Sequence, residues 1–102
     1  MKPLGLHNYF VYIVTNATKT VLYVGVTNNL RARLYQHMQD AITDKLHFTG
    51  KYNAYFLVYW ERFDSIEDAI SREKQLKGWR RSKKEALISE FNPEWRFLND
   101  EV

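Results

Sequence analysis

Cysteine is absent from the 102 residues. That excludes a disulfide framework, a thiolate zinc site and a cysteine nucleophile together, and it agrees with a reducing compartment. Long apolar runs are missing as well: none approaches the ~18 residues that a membrane span requires. The N-terminal stretch lacks the pattern of a secretory signal. A soluble, cytoplasmic protein with no membrane partner is therefore predicted. There is no internal repeat, no low-complexity tract and no linker, so residues 1–102 are read as a single domain. Disorder is excluded by a composition of 45% hydrophobic and 26% charged residues, close to ordinary globular usage. A chain of this length can bury a core without a structural metal.

The formal charge is +3, and its distribution says more than the sum. Lys74, Lys77, Arg80, Arg81, Lys83 and Lys84 crowd one short segment, whereas acidic residues dominate the chain's end. Tyr9 to Thr15 (YFVYIVT) and Val21 to Thr27 (VLYVGVT) are β-branched and aromatic runs of strand length. Both are almost wholly apolar, which predicts cover on both faces of the hairpin they form. A third strand is predicted from Tyr55 to Trp60, with a continuation toward Phe63. A first helix opens at Asn28 or Asn29 and runs to about Ala41. A second starts at Ser65, with Asp68 three residues on, and ends near Gly78. A third starts at Ser82, with Glu85 three residues on, and stops before Pro93. Residues 42–54 read as an irregular, partly basic loop, and the predicted order is ββαβαα.

Several residues do not suit a plain core. On the first helix Leu30, Leu34, Met38 and Ala41 make the apolar stripe, and Arg33 and His37 fall on its edge one turn apart. The aliphatic stem of an arginine can lie over a core while its head reaches water, so Arg33 by itself decides little. On the second helix Ile66, Ala69, Ile70 and Leu76 mark the inward face, and Glu73 projects among them. A carboxylate there must pair with a cation, bind a metal or protonate. In the hairpin, a two-residue loop at Ala17-Thr18 would set Tyr12 opposite Tyr23. A longer loop of the same parity would leave them diagonal neighbours. Gly25 within the second strand hints at a close approach by another group. Lys83 and Lys84 in the first turn of the third helix either add to an anion site or form a solvated charge run.

This set resembles the GIY-YIG nuclease family over most of the chain. Phe10-Val11-Tyr12 stands where the family has GIY, and Tyr23-Val24-Gly25 where it has YIG. The passage LYVGVTNNLRARLYQH resembles the family's strand–turn–helix, with Arg33 ten and His37 fourteen residues after Tyr23. Glu73, within SREKQLKGWRRSKKEALI, matches the family's metal-binding glutamate. Asn92-Pro93-Glu94-Trp95 is similar to the ending of small stand-alone bacterial members, although Asn92 lies further beyond Glu73 than the late asparagine of some relatives. The N-terminal domains of excision-repair incision subunits are also similar. The resemblance implies an α+β fold, a small three-stranded antiparallel sheet flanked by helices, and a bacterial DNA-repair setting.

It also implies a metal-dependent endonuclease acting on nucleic acid, DNA ahead of RNA, with catalytic residues Tyr12, Tyr23, Arg33, His37 and Glu73. Glu73 would hold one weakly bound Mg²⁺ or Mn²⁺. Arg33 would hold the scissile phosphate. Tyr12 would align or deprotonate the attacking water, with His37 relaying its proton, and Tyr23 would bind phosphate or metal-bound water. The two tyrosine roles are interchangeable at this level. Lys74, Lys77, Arg80, Arg81, Lys83 and Lys84, with Trp79, would grip the nucleic-acid backbone, and a protein partner could deliver the substrate. Two competing readings are a non-catalytic nucleic-acid-binding module and an adaptor docking through Trp79, Trp95 and Phe97.

Overall fold

The computed structural model describes residues 8–43 and 48–102. Strands β1 (Tyr9–Thr15), β2 (Leu22–Thr27) and β3 (Phe56–Phe63) form one antiparallel sheet in the order β2-β1-β3. Helix α1 (Leu30–Thr43) follows β2, and a single turn, α2 (Phe48–Lys51), precedes β3. Helices α3 (Ile66–Lys77) and α4 (Arg81–Phe91) come next, and a 3-10 turn covers Asn99–Glu101. This is the α+β architecture expected. The addition is α2, which falls inside the stretch read as a loop; residues 44–47 of that stretch lie outside the described residues.

The apolar character of β1 has a simple consequence. As the central strand, it is buried on both faces, and successive residues feed opposite cores. Phe10, Tyr12 and Val14 pack with Leu30 and Leu34 of α1 and with Ala54, Leu57, Leu98 and Val102. Val11 and Ile13 pack with Val24, Val58, Tyr59, Ala69, Leu76 and Ile88, beneath α3 and α4. Each large apolar side chain fully buried in this way stabilises the fold by roughly 1.5–3 kcal/mol. A register shift between Ile13 and Val14 lets both Val58 and Tyr59 enter the second core.

Local sequence sets the helix ends. Asn29 caps α1, its side-chain oxygen accepting from the Ala32 amide at 3.0 Å. Ser65 caps α3 by accepting from the Asp68 amide, and Gly78 closes that helix. The predicted cap at Ser82 is not formed. The Arg80 carbonyl accepts from the amides of Lys83 and Lys84, so α4 starts at Arg81 and Ser82 lies within its first turn. Glu85 instead pairs with Arg81 at 2.8 Å.

Two helix faces also differ from expectation. On α1, the buried residues are Leu30, Leu34, His37 and Ala41, and Met38 is exposed. On α3, only Ala69 and Leu76 are buried, while Ile66 and Ile70 are exposed. The line that meets the sheet joins Ala69 to Leu76, two turns apart. At 100° per residue Glu73, Ile66 and Ile70 lie on one flank of that line and Arg72 on the other. Arg72 bonds the carboxylate of Glu61, Nε to Oε2 at 3.0 Å, and the Tyr59 hydroxyl donates to the same carboxylate.

Candidate active site

The hairpin loop is long and internally bonded. The Asn16 side-chain oxygen accepts from the amides of Thr20 (2.8 Å) and Val21 (3.3 Å), and Lys19 takes a positive φ of 60°. The register is thereby set with Tyr12 opposite Gly25 and Tyr23 opposite Val14, so the two tyrosines are diagonal neighbours on one face. Tyr12 leans across Gly25. A Cβ at that glycine would lie 2.4 Å from both Cζ and the hydroxyl oxygen of Tyr12, so the ring occupies the space that any side chain would need.

The Tyr12 hydroxyl is the point on which the site converges. It lies 2.7 Å from His37 Nε2, and the charge of Arg33, one turn earlier on α1, acts on it. His37 is buried, with Nδ1 3.1 Å from Thr49 Oγ1 of α2. The Tyr23 ring meets the His37 ring edge-on, with centroids 5.7 Å apart. Glu73 reaches the same region from α3. Its side chain is 17% exposed, and its carboxylate lies 3.1 Å from Lys77 Nζ, which also sits 5.6 Å from the Tyr23 ring centroid. Its negative charge is felt at Tyr12.

Burial dominates the electrostatics. It pushes the Tyr12 phenol up to about 12, against the downward pull of the Arg33 guanidinium. It pushes His37 down to about 4, assisted by the Arg33 charge and opposed by Asp40. At neutral pH the pair is thus a neutral phenol bonded to a neutral imidazole.

The five residues Tyr12, Tyr23, Arg33, His37 and Glu73 therefore come together from β1, β2, α1 and α3 along the β2 edge of the sheet. Asn92 does not join them. It is buried after α4, where its side chain donates to the carbonyls of Val58 (3.2 Å) and Arg96 (2.8 Å) and accepts from the Arg96 amide (3.1 Å). Among the described residues no group of three or more His, Cys, Asp or Glu side chains could hold a metal ion. Glu73 is compatible with a single hard cation: it is a shielded oxygen donor and already faces a positive charge.

The basic segment is dispersed over several contacts. Lys77 is at the site, and Lys83 Nζ lies 4.3 Å from the Trp79 ring centroid. Arg81 donates to the carbonyls of Thr20 (2.7 Å) and Lys19 (3.1 Å) in the hairpin loop. Lys74 and Arg80 are exposed and Lys84 is half-buried. Trp79 and Trp95 pack against the second core, and Phe97 stacks on Phe56 with centroids 4.3 Å apart.

Three aromatic or polar groups at the site carried no signal in the sequence. Phe48 stacks on Tyr23, Tyr52 follows it with centroids 4.8 Å apart, and Thr49 reaches His37. All three come from the stretch without periodicity. A cleft of about 340 Å³ lined by Asn8, Phe10, Asn28, Asn29, Leu30, Arg31 and Val102 contains none of the five site residues.

Comparison with known proteins agrees with this fold. Residues 8–86 match the family described as "GIY-YIG catalytic domain", a span that includes all five site residues and ends before Asn92. A UPF0213 protein of the archaeon Natronomonas pharaonis is 36% identical over 83 residues, covering 81% of this chain and 93% of that protein. One from Bacillus pumilus is 32% identical over 88 residues, covering 86% of each. The solution NMR structure of a UPF0213 protein from Bacillus halodurans superposes with a TM-score of 0.50 and 29% identity, covering 80% of this chain and 83% of that one. The relatives are thus archaeal as well as bacterial.

Proposed function

Because the chain belongs to the GIY-YIG catalytic domain family, a nuclease-type domain, we propose that it is a metal-dependent endonuclease that hydrolyses phosphodiester bonds, in DNA ahead of RNA. The observation that carries this reading is the convergence on the Tyr12 hydroxyl. A phenol bonded to a buried imidazole, with a guanidinium and a carboxylate whose charges act on it, supplies the groups that water activation and phosphate binding need.

Arg33 binds the scissile phosphate and opposes the charge that builds on it in the transition state. Tyr12 is neutral at rest, so its first task is to align the attacking water; a free phenol is a poor base at neutral pH. Proton transfer to His37 follows once a phosphate is bound, because a nearby negative charge favours the imidazolium. Tyr23, beside Lys77, contacts the phosphate from the β2 edge. Glu73 would hold one Mg²⁺ or Mn²⁺, which supplies Lewis-acid relief of the phosphoryl oxygens and the leaving alkoxide when bound. With a single protein carboxylate, most of that ion's ligands are water and substrate, and binding is weak. Lys74, Arg80, Lys83 and Lys84 hold the backbone further out, with Lys77 at the site and Arg81 bracing the hairpin loop. Phe48 and Tyr52 add flat apolar surface next to Tyr23.

The test is to incubate the protein with labelled single-stranded, duplex and branched DNA and RNA in Mg²⁺, Mn²⁺ or EDTA, beside Glu73→Ala and Arg33→Ala. Metal-dependent cleavage that both variants lose while still folded and binding is the expected result. Salt-sensitive binding of nucleic acid with no cleavage of any substrate would replace the enzyme by a binding module. Neither binding nor cleavage would leave the adaptor.

A further inference from the structure

A neutral imidazole carries one ring proton, and its position decides what Tyr12 can do. Both His37 nitrogens are engaged: Nε2 with the Tyr12 hydroxyl at 2.7 Å and Nδ1 with Thr49 Oγ1 at 3.1 Å. Two arrangements satisfy these contacts. In one, Tyr12 donates to Nε2 and Nδ1–H donates to Thr49. In the other, Thr49 donates to Nδ1 and Nε2–H donates to Tyr12.

Three features separate them. The shorter contact, at 2.7 Å, has the length of an O–H donor, and the longer, at 3.1 Å, suits an imidazole N–H donor. A phenol is also a stronger acid than an alcohol, so the unprotonated nitrogen gains more from Tyr12 and the N–H gains more from the threonine oxygen. The positive charge of Arg33 favours electron density on the phenol oxygen, and so favours Tyr12 as the donor to His37.

Thr49 is also held in place. Its carbonyl accepts from the Ala54 amide at 2.9 Å, Ala54 is buried, and the ring of Phe48 stacks on Tyr23 with centroids 5.9 Å apart. The threonine hydroxyl is itself buried against His37.

We propose that Thr49 is a positioning residue, one that fixes His37 with its proton on Nδ1 so that Nε2 receives the Tyr12 hydroxyl. The phenol oxygen is then left as an acceptor toward Arg33 and an incoming water. This polarity of the relay rests on the nuclease reading, whereas the tautomer does not. It also assigns a purpose to α2, whose single turn delivers the hydroxyl.

The test combines a spectrum with kinetics on the full chain. Imidazole-¹⁵N NMR of the wild-type protein should place the His37 proton on Nδ1. Thr49→Val, which keeps the shape and removes the acceptor, should move it wholly or partly to Nε2. The same variant should lower kcat by about 10- to 100-fold with KM unchanged, a size typical of a partner that orients a functional imidazole. Thr49→Ser should restore both readouts. A wild-type proton on Nε2, or an unchanged Nδ1–H in folded Thr49→Val, would overturn the inference whatever the cleavage assay gives. Should Thr49→Val not fold, Thr49→Ala takes its place, and the same two spectra decide. Absence of cleavage in the wild type would sink the nuclease reading instead, and the tautomer would still decide the role of Thr49.

Discussion

Gly25 and Tyr12 show how one side chain can require the absence of another. The ring of Tyr12 is buried and its hydroxyl is bonded to His37, so it cannot swing away cheaply to admit a Cβ at 2.4 Å. Gly25→Ala is expected to destabilise the fold by about 1–3 kcal/mol, the usual cost of overpacking, and to abolish cleavage in the fraction that stays folded. Urea midpoints and a cleavage assay on the same preparation check both halves. His37 makes a second prediction. The unfolded chain takes its proton near 6.5, whereas the native protein keeps the ring neutral down to about 4. Between those values the unfolded state binds more protons, so stability falls as pH drops through the window and levels off below it. His37→Gln removes that titration. Comparing urea midpoints at pH 7 and pH 4.5, the wild type should lose more stability than the variant.

At the scale of elements, the strands were legible because β-branched and aromatic runs have few other destinations, and β1 coincides with its predicted bounds. The caps at Asn29 and Ser65 were legible too, since a side-chain oxygen before an apolar run has a local task. The faces of α1 and α3 were read less well. Hydrophobicity placed Met38 inward, but His37 takes that position because Tyr12 and Thr49 satisfy both of its nitrogens, which no one-dimensional pattern reveals. Likewise, α2 has too few residues to show a period. Asn92 belongs to this scale, since it ties the end of α4 to β3 and to the turn after it. Asn92→Ala strands the buried Val58 carbonyl and should cost about 1–3 kcal/mol. Cleavage per folded molecule should persist. A loss of activity without a loss of thermal stability would bring Asn92 back to the site.

For the molecule as a whole, the sheet is thin enough that the edge strand β2 can gather groups from both of its faces. Tyr12, Arg33 and His37 belong to the α1 side, while Glu73 and Lys77 overhang from the α3 side. Exposed cations without an ion-pair partner among the described residues, Lys74 and Arg80, lie three residues either side of Lys77 in sequence. Replacing both by alanine should weaken nucleic-acid binding for every sequence alike. It should also flatten the plot of log affinity against log salt by about 0.9 for each duplex phosphate that the protein no longer neutralises. The cleavage rate at saturating substrate should not change. Fluorescence anisotropy across a salt series, with single-turnover kinetics, measures the two separately.

Sequence alone determined the α+β class, the three strands and three main helices, and the identity of the five candidate residues, because these depend on local propensity, capping and the order of motifs along the chain. The tertiary structure alone decided which of those residues touch. Register is a property of a pair of strands and a loop, so only the folded hairpin could set Tyr12 against Gly25 rather than Tyr23. Burial is a property of the whole core, and it made His37 a neutral partner for Tyr12. The contact of the Thr49 hydroxyl with His37 depends on side-chain placement in three dimensions, which a string of residue types does not encode.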